Sequence, residues 1–231
     1  MKRSELKAKA KEQIEGRIGV LFLITLVISL ITTMTSLVLE LIAIFFPLLR
    51  YFTAIVSVII VPAFSLSIVR VYLMLLRDED PAVEDAFTGF NDFQSAFKVM
   101  CLVGLYTFLW SLLLIVPGIV KSISYSMSMH VLAENKGKSA RECIKESEAM
   151  TKGHKAELFM LNLSFIGWHL AGFLTFGIAT VLWVTPYMNA TFANAYESLK
   201  TSAAAVDSPV ENDGLRRRKS LISHKKSTQT E

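Results

Sequence analysis

Charge is scarce in this sequence, and from long stretches it is absent. Of 231 residues, 19% are Asp, Glu, Lys or Arg, against roughly 25% in soluble domains. Cysteine is nearly missing too. Cys101 and Cys143 are the two present, and neither has a partner at metal-ligand spacing. That argues against a zinc site or a disulfide framework. The sequence also lacks a phosphate-binding loop, a nucleophile elbow and a paired-carboxylate signature. No metal, cofactor or catalytic residue is therefore expected, and the chain reads as a non-enzyme.

What fills the space is apolar. Hydrophobic residues make up 52% of the chain, and the mean hydropathy is +0.46. The few charges gather at the N-terminus, in two interior segments and near the C-terminus. Membrane spans separated by aqueous loops have this pattern. The expected fold is an all-α polytopic transmembrane bundle of about six spans in three hairpins, with short amphipathic surface helices. The spans are placed at about 18–39, 52–76, 97–116, 118–134, 157–175 and 178–199. Residues 1–17 form a cationic amphipathic helix ahead of this bundle, which covers 18–199. Residues 200–231 read as a disordered basic tail carrying Arg216, Arg217, Arg218 and Lys219. The first apolar run lacks a small-x-small cleavage site, so it is read as a retained helix.

Local signals refine the boundaries. Ser4 suits the N-cap of the first helix, where Leu6, Ala10 and Ile14 recur every fourth residue. Glu40 marks the far end of the first span, and Pro47 and Arg50 suit an interfacial connection. RDEDPAVEDAF at 77–87 predicts a short surface helix after Pro81. Pro117-Gly118 divides the run 97–134, which is too long for one span. Residues 139–151 predict an amphipathic surface helix opened by a Ser139–Glu142 capping box. Gly177 makes the last turn.

Lys and Arg placement sets orientation. One side receives Lys7, Lys9, Lys11, Arg17, Arg77, Lys98, Lys136, Lys138, Arg141, Lys145, Lys152, Lys155 and the tail cluster, and the other only Arg50 and Lys121. Both termini are expected in the cytoplasm, with the chain in the cell membrane. The net charge of +4 then points to anionic lipid head groups at the cytoplasmic face, not to nucleic acid. Val61-Pro62, Val116-Pro117 and Thr185-Pro186 hint at a repeated hairpin.

Four stretches carry a resemblance: ELKAKAKEQIEGRIG at 5–19, WSLLLIVPGIVKSISYSM at 110–127, MTKGHKAELFMLNLSFIGW at 150–168 and WVTPYMNATFANAYESL at 183–199. They resemble a family of small bacterial integral membrane proteins, common in Gram-positive bacteria and catalogued as a domain of unknown function. The resemblance implies a multi-helix bundle in the cell membrane and no established activity. A more distant likeness is to the membrane domain attached to some glycerophosphodiester phosphodiesterases. The phosphodiesterase domain itself has no counterpart here.

Polarity inside the spans marks the candidate site. Lys121, Ser122, Ser124, Tyr125, Ser126, Ser128 and His130 crowd the fourth span, and Thr185, Asn189, Asn194 and Glu197 the sixth. A lysine at mid-bilayer costs about 2.5–3.5 kcal/mol, and Lys121 is expected to snorkel outward past the Pro-Gly break. Pro186 frees a backbone carbonyl that Asn189 could satisfy. Lys121, Tyr125, Ser128, Asn189 and Asn194 are the candidates for a polar path, the alternative being close packing with hydrogen bonds across helices. Arg70 and Glu197 either pair or reach the interface separately. The leading functional reading is an accessory or scaffold protein, with envelope maintenance as its setting. The second is a small-solute transporter or channel. The third, an intramembrane enzyme, requires His130, Glu134 and His154 to converge.

Overall fold

The computed structural model describes residues 3–46, 49–175 and 180–207. Every regular element among them is helical. In chain order they are α1 (Arg3–Ile14), α2 (Ile18–Phe45), α3 (Leu49–Leu76), a 3-10 helix (Val83–Asp92), α4 (Phe93–Leu113), α5 (Ile115–Tyr125), α6 (Ser128–Glu134), α7 (Ala140–Thr151), α8 (Lys155–Leu163), α9 (Ile166–Leu174), a π-helical turn (Thr180–Val184) and α10 (Thr185–Asp207). Pro47, Gly177 and the basic cluster at 216–219 lie outside the described residues.

Three described helices are long and apolar enough to cross a membrane: Ile18–Phe45, Val58–Leu76 and Val83–Leu113, with mean hydropathies of 2.3, 2.2 and 1.7. The other expected spans are built from shorter pieces. The fourth is broken between α5 and α6, and the fifth between α8 and α9. The sixth opens on the π-helical turn.

The apolar repeat of α1 faces protein. Leu6, Ala10 and Ile14 are buried, and α1 packs along α10. Asn194 Nδ2 donates to Gln13 Oε1 at 2.6 Å, fixing the register of the two helices. The chain then reverses into α2 at Gly16, whose φ of +89° favours glycine. Ser4 lies within α1, which begins at Arg3, so it is not the cap.

α2 continues past Glu40 to Phe45, which corrects the expected end at Leu39. A single carboxylate does not stop an otherwise apolar helix; the helix closes at Phe46, whose φ of −131° and ψ of 85° leave the helical region. Hydroxyls within α2 are satisfied locally: Thr25, Thr32 and Ser36 each bond the carbonyl four residues back.

Pro62 lies inside α3, and the 3-10 helix packs against the turn that follows it, at Ala63 and Ser67. The Gly89 amide donates to Ser67 Oγ at 2.8 Å. A Cβ on Gly89 would sit 2.0 Å from the Ala63 carbonyl oxygen, so only glycine fits. This segment was expected to be a short helix on the surface. It lies instead against α3, with Ala86 and Gly89 buried and Phe87 and Phe90 packed edge-on to Phe64.

The third span ends three residues before the proline. Leu114 is extended and closes α4, and Pro117 stands in the first turn of α5, where its absent N–H costs nothing. Gly118 then packs against Ser111; a Cβ there would clash with Ser111 Oγ at 2.1 Å.

Residues 139–151 form the expected helix with the expected cap. The Glu142 amide donates to Ser139 Oγ, and the Ser139 amide to Glu142 Oε2. These bonds hold the fully exposed Glu142 carboxyl below the usual carboxylate range, the Ser139 backbone bond contributing most. The helix is not a surface element, however. Ala140, Cys143, Ile144, Ser147, Met150 and Thr151 are buried against α4, α5 and α6. Burial also pushes the Cys143 thiol up.

α10 stands at the centre, touching α1, α2, α3 and α7. Small residues on its buried face, Ala190, Thr191, Ala193 and Ala195, allow close approach beside the fully buried Tyr196 and Leu199. It runs to Asp207, so the expected tail begins as helix. Burial concentrates around α1, the second half of α3, α6, α7 and α10. Away from this base the helices turn apolar side chains outward: Leu37, Leu41, Ile44 and Phe45 of α2, Leu112 and Leu113 of α4, Ile115 and Val116 of α5, and Leu170 and Leu174 of α9 are all at least 60% exposed.

Candidate functional site

The predicted polar residues fall into separate clusters. The first surrounds the break between α5 and α6, in the expected fourth span. The backbone leaves the helix between Tyr125 and Ser128. Such a break frees polar backbone groups, each costing several kcal/mol if left unpaired in lipid. α7 supplies the partner. Ser147 Oγ donates to the Ser124 carbonyl at 2.7 Å and accepts from the Met127 amide at 3.2 Å. Thr151 Oγ1 adds a second bond to the Ser124 carbonyl at 3.3 Å. One hydroxyl thus stands in for the missing helical bond. Replacing Ser147 with alanine strands the Met127 amide, so about 1–3 kcal/mol of stability should be lost. Thermal unfolding in detergent, with Ser122→Ala on the exposed face as control, measures it.

Lys121 belongs to this cluster. Its ammonium meets Glu148 Oε1 at 2.5 Å and lies over the rings of Trp110 and Tyr125, 5.1 and 5.7 Å from their centroids. This corrects the expectation that it snorkels outward. A carboxylate brought by α7 neutralises the charge where it stands, so the side chain need not reach the outer surface. Tyr125 is buried beside Tyr106, and Ser128 is turned back to the Tyr125 carbonyl at 2.8 Å.

Asn189 and Asn194 are not brought to Lys121. Asn194 is committed to Gln13 and to the Ala190 carbonyl. Asn189 faces Tyr72 together with Thr25. The buried Tyr72 hydroxyl closes a well-formed bond with neither of them. Asn189 therefore addresses a side chain on α3, not a carbonyl freed by Pro186, which stands in the first turn of α10.

A third cluster was invisible in the sequence. Glu134, its side chain 8% exposed, accepts from Arg77 at 2.7 Å, Lys200 at 2.7 Å and the Tyr196 hydroxyl at 2.9 Å. It ties the ends of α3 and α6 to the middle of α10. His130 stacks on Tyr196, ring centroids 5.3 Å apart. Next to this hub is a cavity of 390 Å³ lined by Lys9, Gln13, Arg77, Glu197 and others. Arg70 pairs with Asp92 at 2.5 Å and donates to the Thr88 carbonyl at 2.7 Å, so its partner is the 3-10 helix and not Glu197. Three-residue sets of His, Cys, Asp or Glu able to hold a metal are absent among the described residues. His130 stacks on Tyr196, which bonds Glu134, while His154 contacts Glu157 on its own helix.

Outside the spans, Lys7 lies 4.4 Å from the centroid of the Phe165 ring. Its ammonium is held below the usual lysine range, chiefly by burial and secondarily by Arg3.

The architecture is that of an all-helical, membrane-associated protein whose interior polarity is divided among three clusters. The chain belongs to the family described as "Protein of unknown function (DUF975)", whose model matches residues 1–124 and 112–203. No curated protein and no solved structure matches it.

Proposed function

We propose that this chain is a non-enzymatic accessory or scaffold protein of the bacterial cell membrane. It crosses the membrane about six times, in three hairpins, with both termini in the cytoplasm. One observation supports this most. Several polar groups inside the bundle are engaged by partners within the chain: Asn194 by Gln13, Glu134 by Arg77, Lys200 and Tyr196, and the break between α5 and α6 by Ser147. Groups already paired in this way hold helices together and leave little for a solute. The outward-facing apolar side chains of α2, α4, α5 and α9 suit contact with lipid. The excess of Lys and Arg at one end suits the cytoplasmic face, with anionic head groups as partners.

A second reading, a small-solute transporter, is favoured by the α5–α6 break and the unsatisfied Tyr72 hydroxyl. Flux separates the two. Purified protein in liposomes should pass protons and potassium no faster than empty liposomes. A saturable flux abolished by Lys121→Met and Asn189→Leu, with expression intact, would establish transport instead.

A further inference from the structure

We propose that Lys121 is an exchange site for the phosphate of an anionic phospholipid, with the Glu148 carboxylate as its resident competitor. The inference rests on the membrane reading above and gives one lipid a specific address. The Lys121–Glu148 pair is not sealed in the bundle: the two side chains are 23% and 41% exposed. Against it, the Trp110 side chain is itself 39% exposed. An ammonium set over two aromatic faces, one of them the partly exposed Trp110, matches the two ends of one ligand. The phosphate takes the charge, and the acyl chain takes the apolar surface. Tryptophan and tyrosine around a cation also suit the head-group level of a bilayer.

The chemistry selects among lipids. A zwitterionic phosphatidylcholine carries its own cation, which competes with Lys121 for its phosphate. A phosphatidylglycerol does not. The exchange needs no unfolding of α5, because the competing carboxylate comes from a different element. α7 keeps its hold through Ser147 and Thr151 when Glu148 lets go.

Trp110 reports on the site. With Trp168→Phe and Trp183→Phe it becomes the single tryptophan of the full chain. The protein is placed in phosphatidylcholine vesicles containing either brominated phosphatidylglycerol or brominated phosphatidylcholine at equal mole fraction. Brominated phosphatidylglycerol should quench Trp110 more strongly. Glu148→Gln should raise that preference to roughly fivefold, the usual contribution of one basic residue near an anionic surface. Lys121→Met should abolish it. Equal quenching by both lipids in the parent and in Glu148→Gln would overturn the lipid site while leaving the membrane reading intact. No quenching by either lipid would overturn both. Reversal of the preference by inorganic phosphate would show a simple anion site and also overturn the assignment.

Discussion

Gly89→Ala should be the most damaging small substitution in the chain, costing about 3 kcal/mol or more. The added methyl has nowhere to go. It would stand 2.0 Å from the Ala63 carbonyl oxygen, 2.7 Å from Ser67 Oγ and 2.8 Å from the Ser67 amide nitrogen. Two of these are backbone atoms of α3 and cannot swing aside. The 3-10 helix must lift away, and overpacking alone costs about 1–3 kcal/mol. The Gly89–Ser67 bond stretches with it, and Arg70 is pulled from Thr88 and Asp92. Buried charge losing its partner adds to the cost. Gly104→Ala is the control: nothing lies within 4 Å of a Cβ there, and alanine is the better helix former. Melting followed by fluorescence-detected size exclusion should show early aggregation for Gly89→Ala and parent-like behaviour for Gly104→Ala.

Glu134→Gln should follow, at about 2–3 kcal/mol. The carboxylate accepts three bonds and is 8% exposed, so its loss leaves Arg77, Lys200 and the Tyr196 hydroxyl short of a charged acceptor. Bonds to a charged partner contribute about 1.5–3 kcal/mol. Arg77 and Lys200 are 54% and 46% exposed, so solvent recovers part of their share. The buried Tyr196 bond is what makes the effect large. High salt should therefore destabilise the parent only modestly and leave the gap between the two proteins mostly open.

How much of this was legible beforehand depended on distance along the chain. The repeat of Leu6, Ala10 and Ile14 and the Ser139–Glu142 box are local patterns, and both elements formed where they were read. Hydropathy shows that a helix has an apolar face; it does not say whether lipid or protein covers it. For that reason α1 and α7 read as surface helices, although α10 covers one and α4, α5 and α6 the other. The pairings were harder still. Glu148 lies 27 residues from Lys121, in a segment that reads as aqueous, and Glu134 draws partners from 57 and 66 residues away. No periodicity connects such positions. The break between α5 and α6 was legible only as an unusual run of serines around Lys121. That one of its carbonyls would be held by Ser147 needed the tertiary contact.

The central claim is a multi-pass chain with a cytoplasmic base and outward apolar hairpins, and cysteine labelling tests it most directly. In a Cys101→Ser, Cys143→Ser background, Lys136→Cys and Ser202→Cys should resist a membrane-impermeant maleimide in intact cells and react after permeabilisation. Phe46→Cys and Leu114→Cys, at two hairpin tips, should react in intact cells. Labelling of Lys136→Cys from outside, or protection of both tips until the cells are opened, would contradict the account.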